Sequence, residues 1–125
     1  MTLLADFTVI QQQPKAVNNS LKLTFTTGGR HETGQAFIML MVKGLNHNIN
    51  AELRVNDHPG DSISASIEDD DKTNWWTHIS VIKGEDLLDT GDLIPPNTLE
   101  IKTVGSDRRF FVKDVVCFFQ QGADD

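Results

Sequence analysis

The segment RFFVKDVVCFF, Arg109 to Phe119, decides how the rest of the chain is read. Its apolar residues fall into two sets: Phe110 and Val112 hold one phase, and Val115, Cys117 and Phe119 hold the other, with Lys113-Asp114 between them. A helix repeats its apolar positions every three to four residues, whereas a strand turns successive side chains to opposite faces. The spacing therefore predicts one long, bent strand in which a bulge at Lys113-Asp114 resets the phase and keeps the core side apolar.

Working outward, the same period of two recurs. Leu21, Leu23 and Phe25 alternate with Lys22 and Thr24; Ala51, Leu53 and Val55 alternate with Glu52, Arg54 and Asn56; Ile63, Ala65 and Ile67 alternate with serines and Glu68. Each reads as a strand with one wet face. Further strands are expected at Leu4 to Gln11, Ala36 to Lys43, Trp76 to Ile82 and Leu99 to Val104. Between them stand clusters of Gly, Pro, Asn and Asp, such as Asn56 to Gly60, Glu68 to Asn74 and Pro95 to Asn97. These supply the backbone angles that turns need, and they recur about every ten residues, the spacing of an antiparallel sandwich. One helical turn is expected around Gly84 to Asp89. Ala36 to Val42 is apolar on both faces, which places it centrally and requires its outer face to be covered by a loop, a terminus or another subunit.

At 125 residues, 38% hydrophobic and 23% charged, the chain fits a single domain spanning residues 1–125, large enough to fold on one core. The start, Met1 to Asp6, lacks the basic and apolar signature of a secretory leader, so a cytoplasmic protein is expected, with export by a route without a cleaved leader as the alternative. The net charge of −7, carried by 13 Asp and 5 Glu among the acids, repels phosphate backbones and anionic lipid. Neutral or cationic partners are therefore expected, with no nucleic acid and no membrane. Cys117 is the sole cysteine and lies between valines and phenylalanines, the setting of a buried, unreactive thiol.

The segments AELRVNDHPGDSI, WWTHISVIKGEDLL, NTLEIKTVGSD and RFFVKDVVCFF together resemble the jelly-roll sandwich of galactose-binding-like domains and carbohydrate-binding modules. The matching positions run in order through Leu53-Arg54-Val55-Asn56, Gly60, Trp75 or Trp76, Leu87-Leu88, Gly91, Asn97 to Ile101, Asp107 and Phe110 to Phe119, about the last three-fifths of the chain. Asp92 to Pro96 separate Gly91 from Asn97, where the family keeps Gly and Asn close. The resemblance implies an all-β antiparallel sandwich of jelly-roll topology, with about eight strands, and a carbohydrate-binding role.

The chemistry-bearing stretch is EDDDKTNWWTH, Glu68 to His78. With the register of that strand set by Ile79 and Val81, Trp75 and Thr77 would face the core, and Trp76, His78 and Ser80 would face outward. An outward Trp76 beside His78 could stack on a pyranose, with Asp69 and Asp71 accepting from its hydroxyls. The competing reading has Trp76 packed beneath a loop or a second subunit. Asp69, Asp71 and Thr73 offer alternate oxygens to a calcium ion but lack the glycine and glutamate of the common calcium loop, which favours a solvated acidic turn. His47 with Glu52 and Gly60 resembles the first metal motif of cupins, although Ile49 stands where a second ligand belongs. No Gly-x-Ser-x-Gly elbow or phosphate loop is present. The leading expectation is a non-catalytic, lectin-like module with Trp76, His78, Asp69 and Asp71 as ligand contacts and no cofactor beyond a calcium ion. The first rival is an assembly protein that forms homo-oligomers through an outer apolar face bearing Phe37, Met39 and Met41. The second is a small cupin-like metalloenzyme.

Overall fold

A computed structural model of the chain describes residues 3–27, 34–45, 50–63, 74–87, 96–104 and 109–122. Among these residues are nine strands and one short 3-10 turn: β1 (Leu3–Gln11), β2 (Lys15–Asn18), β3 (Ser20–Phe25), β4 (Gln35–Lys43), β5 (Asn50–Val55), β6 (His58–Ser62), β7 (Trp76–Lys83), the turn at Gly84–Asp86, β8 (Asn97–Val104) and β9 (Arg109–Gly122). All the strand pairings are antiparallel.

Hydrogen bonding runs along the path β6-β5-β8-β3-β2-β9-β4-β7, with β1 also beside β9. The link between β2 and β3 is the single pair Asn18 and Ser20, around Asn19 at φ 66°. Asn tolerates that left-handed backbone better than most residues. Its carbonyl accepts from Thr103 N–H at 2.9 Å, so the corner is tied to β8. One strand thus changes sheets at Asn19, pairing with β9 before it and with β8 after it. Two layers result. The first is β6-β5-β8-β3; the second is β9-β4-β7, with β2 and β1 end to end along the free edge of β9. From β4 onward the chain crosses between the layers at every connection except the β5-β6 hairpin, the connectivity of a jelly roll.

The apolar residues between the layers form one core, which includes Leu23, Phe25, Ile38, Leu40, Leu53, Leu99, Ile101 and Phe110. The phase reset in β9 is present. Asp114 lies at φ 49°, the β4 register slips between Met39 and Met41, and Phe110, Val112, Val115, Cys117 and Phe119 are all buried. Without the extra residue, half of that strand would turn its apolar side to solvent.

Two strands go beyond the sequence expectation. β6 occupies His58–Ser62, where Pro59 and Gly60 read as a turn. It stands at the end of the sheet path, and an edge strand tolerates a proline because one side of its backbone has no ladder to maintain. The turn itself is only Asn56-Asp57, both left-handed, as a two-residue hairpin requires. β2 has only four residues, too few for alternation to show. Ile63 is buried but lies beyond β6, and Ala65 and Ile67 fall outside the described residues. The expected helical turn is a 3-10 turn over Gly84–Asp86, followed by the buried Leu87.

Candidate functional site

The outer faces of the two layers differ in chemistry. On the first, β3, β8 and β5 align Lys22 with Glu100 and Arg54, and Lys102 with Glu52. Glu52 is paired with Arg54 at 3.1 Å and with Lys102 at 3.5 Å. This is a solvated, charge-balanced surface.

The second outer face is apolar across four strands. One row runs Phe7, Phe118, Phe37, Val81 from β1 through β9 and β4 to β7, and the next runs Val9, Val116, Met39, Ile79. The three phenyl rings form a ladder, Phe7 to Phe118 at 6.1 Å and Phe118 to Phe37 at 5.2 Å between centroids. The exposed large hydrophobics among the described residues all lie here: Phe7 at 57%, Val9 at 53%, Phe37 at 38%, Ile79 at 53% and Val81 at 61%. Soluble monomers seldom expose so continuous an apolar patch, and such patches mark interaction sites.

One end of this face is aromatic and cationic. Trp75 directly precedes β7 and shares the outward phase of Thr77, Ile79 and Val81. Lys43 Nζ lies 4.8 Å and Lys113 Nζ 4.6 Å from the Trp75 ring centroid. Lys43 also approaches Phe111 at 5.6 Å, and the Arg109 guanidinium lies 5.4 Å from the same ring. Register explains the convergence, because Lys43 faces Phe111 on one side while Val42 faces Trp76 on the other, setting Lys43 level with Trp75. The stems of Lys43 and Lys113 lie partly buried along the sheet, and their charged ends reach the rings. Thr77 Oγ1 donates to Met41 Sδ at 3.1 Å beside them.

The sequence-based facing of β7 is overturned. Trp76, His78 and Ser80 point inward, and Thr77, Ile79 and Val81 point outward. Trp76 packs against the core, and His78 is only 7% exposed. His78 Nε2 lies 2.7 Å from Ser80 Oγ, a hydrogen bond whose direction follows the ring tautomer. The reason lies in β4: its core-facing Ile38 and Leu40 stand opposite Ser80 and His78, so large aliphatic groups sit beside a small polar pair that is satisfied internally. The outward indole is therefore Trp75. A signal for this was present in the sequence. A central strand apolar on both faces needs a neighbour apolar on the matching outer face, and Ile79 and Val81 supply it.

Asp69, Asp71 and Thr73, the expected sugar acceptors and calcium ligands, lie outside the described residues, as does His47. Glu52, its cupin-like companion, is engaged by Arg54 and Lys102 on the polar face. Among the described residues no three His, Cys, Asp or Glu side chains are grouped to hold a metal ion. Cys117 is buried, and that burial pushes its thiol up from 9.0 to about 12.

A concave feature lies at the opposite end of β7. A cleft of about 380 Å³ opens between β6 and β7, lined by Val55, Ile82, Gln35, His58, Lys83 and Asp86 among others. His58 Nδ1 and Asp86 Oδ1 stand 3.7 Å apart beside it. A second hollow of about 380 Å³ lies over the charged outer face, between Lys22, Arg54 and Asn56. Its lining also includes Asp57, Pro96, Thr98 and Glu100, so it offers polar contacts without an aromatic platform.

No protein-family model matches the chain, and comparison with curated proteins found no match. Among solved structures, the fold is similar to that of the CBM36-1 domain of a multidomain xylanase from the hindgut metagenome of Trinervitermes trinervoides. The two share 13% identity with a TM-score of 0.51, over 96% of this chain and 100% of that domain. The likeness shows the fold alone, an antiparallel β-sandwich.

Proposed function

We propose that this chain is a non-catalytic carbohydrate-binding module, and that its ligand lies at the Trp75 end of the apolar outer face. The observation that carries the reading is the outward indole of Trp75, mounted at the start of β7 and flanked by Lys43 and Lys113. The C–H face of a pyranose is apolar and stacks on an aromatic ring, while neighbouring polar groups fix orientation through its hydroxyls. Asp69 and Asp71, shortly before Trp75 in the chain, are proposed as hydroxyl acceptors. The sandwich fold agrees with this reading but does not carry it, since one fold hosts many functions. Trp75 takes the stacking role first assigned to Trp76, and His78 serves to fill the core. Glycan-array binding that disappears in Trp75→Ala and persists in Trp76→Ala supports the proposal; an array on which the wild-type protein binds no sugar ends it.

A second reading rests on the two apolar rows, which extend well beyond the surroundings of one ring. They suit a second copy of the chain, packed face to face. Four strands about 4.8 Å apart and nine residues long give a face of roughly 20 by 30 Å, which with side-chain relief approaches the ~800 Å² per partner of a standard interface. Such a dimer would have the same patch on both subunits, and Phe37, near the centre of its row, would be its anchor.

A further inference from the structure

The cations around Trp75 point to a ligand charge that the composition argues against. On the charged outer face, Arg54 and Lys102 each have a carboxylate partner. Lys43, Lys113 and Arg109 have no such partner among the described residues, and all three are directed at aromatic rings. Two ammonium groups converge on one indole, each less than 5 Å from its centroid. At a partly exposed site each ring contact is worth only about 0.5–1 kcal/mol. A carboxylate reached by both ammonium groups would replace these contacts with stronger charge-assisted hydrogen bonds. The nearest acid in sequence, Asp114, is exposed at the left-handed bulge next to Lys113.

We infer that this corner selects an acidic saccharide, one whose sugar ring lies on Trp75 and whose uronate carboxylate is held between Lys43 and Lys113, with Arg109 over Phe111 receiving the carboxylate of a neighbouring unit. The inference rests on the carbohydrate-binding reading and names the ligand class for that same site. Net charge does not oppose it at this distance. At physiological ionic strength the Debye length is about 8 Å, so acids elsewhere on the surface are largely screened; Asp114 beside Lys113, and Asp69 and Asp71 shortly before Trp75 in the chain, are the acids that the three cations must outweigh. A polyphosphate backbone is a poorer fit. Its charge sits on the phosphodiesters that link the sugars, whereas a uronate carries its carboxylate on the ring that stacks on Trp75.

The test is titration calorimetry with the intact chain against polygalacturonate, alginate and hyaluronan, alongside the methyl ester of each and a single-stranded DNA oligomer. At least one free-acid polymer should bind ten-fold or more tighter than its ester, with affinity falling as salt is raised. In the double variant Lys43→Gln/Lys113→Gln that difference should disappear, while weak binding to the ester remains. The variant's melting temperature and near-ultraviolet circular dichroism verify that it is folded; if it is not, Lys113→Gln alone serves and should narrow the difference. Equal affinity of the wild-type protein for acid and ester overturns the acidic-ligand inference and leaves the carbohydrate reading in place. Failure to bind any of the polysaccharides overturns the inference, and the glycan array then decides separately whether the carbohydrate reading survives. Binding of DNA as tight as that of the best uronate polymer overturns it in favour of general polyanion attraction.

Discussion

Single residues hold this sandwich together at points where the backbone leaves the ordinary strand region. Asn56 shows it best. At φ 51° it occupies the first turn position between β5 and β6, and its side chain ties three parts of the chain together. Its Nδ2 donates to the Asp86 carbonyl at 2.7 Å and to Asn97 Oδ1 at 2.8 Å, and its Oδ1 accepts from Thr98 N–H at 2.8 Å. The Asn56→Ala substitution should cost about 3 kcal/mol, combining lost hydrogen bonds with a left-handed angle that alanine resists. Urea unfolding measures this, and a loss below about 1 kcal/mol would show that the amide is not the tie described. Cys117 provides a pH-dependent test. Its native thiol stays protonated up to about 12, whereas an unfolded one ionises near 9.0. The unfolded state therefore sheds a proton that the native state retains, and stability should fall between those values by at most about 1.4 kcal/mol per pH unit. Cys117→Ala, less stable at neutral pH, should lack this component. Unfolding free energies of the two proteins that stay parallel from neutral to strongly alkaline pH would contradict it.

At the scale of elements, legibility depended on whether a strand has one wet face. In β3 and β5 the outer residues are Lys22, Thr24, Glu52 and Arg54, so the alternation gave both the strand and its facing. In β7 both phases carry apolar residues, and the more apolar set, Ile79 and Val81, turned out to be the exposed one. Periodicity identified that strand and misassigned its faces, because what lies outside the face is not encoded within the strand. β6 was hidden by Pro59 and Gly60, whose turn preference yields to edge pairing with β5. The bulge in β9 was legible from the phase change alone, and it gives a sharp test. Deleting Asp114 should turn Val115, Cys117 and Phe119 away from the core and abolish cooperative unfolding, while Asp114→Gly, compatible with φ 49°, should melt within a few degrees of wild type. A deletion variant that melts like the wild-type protein would refute the reset.

For the whole molecule the central asymmetry is that one sheet faces solvent with paired charges and the other with two rows of apolar side chains. Were that face to dock a second copy, light scattering would give a dimeric mass that becomes monomeric in Phe37→Lys, with little change in melting temperature. A monomeric wild-type protein at high micromolar concentration would leave the face to another ligand. The sequence indicated the sandwich and the apolar outer face of β4, but not the Trp75 corner. That corner is assembled from residues on β4, β9 and the start of β7 that are distant in sequence and meet only through register. The most direct measurement of the central claim, that Trp75 is the contact platform, is a comparison of polysaccharide affinity in Trp75→Ala and Trp76→Ala, each scaled to its folded fraction. Trp75→Ala should keep its melting temperature and lose ten-fold or more in affinity, and Trp76→Ala should melt earlier yet bind as wild type. Unchanged affinity in Trp75→Ala, with the loss in Trp76→Ala instead, would contradict the account.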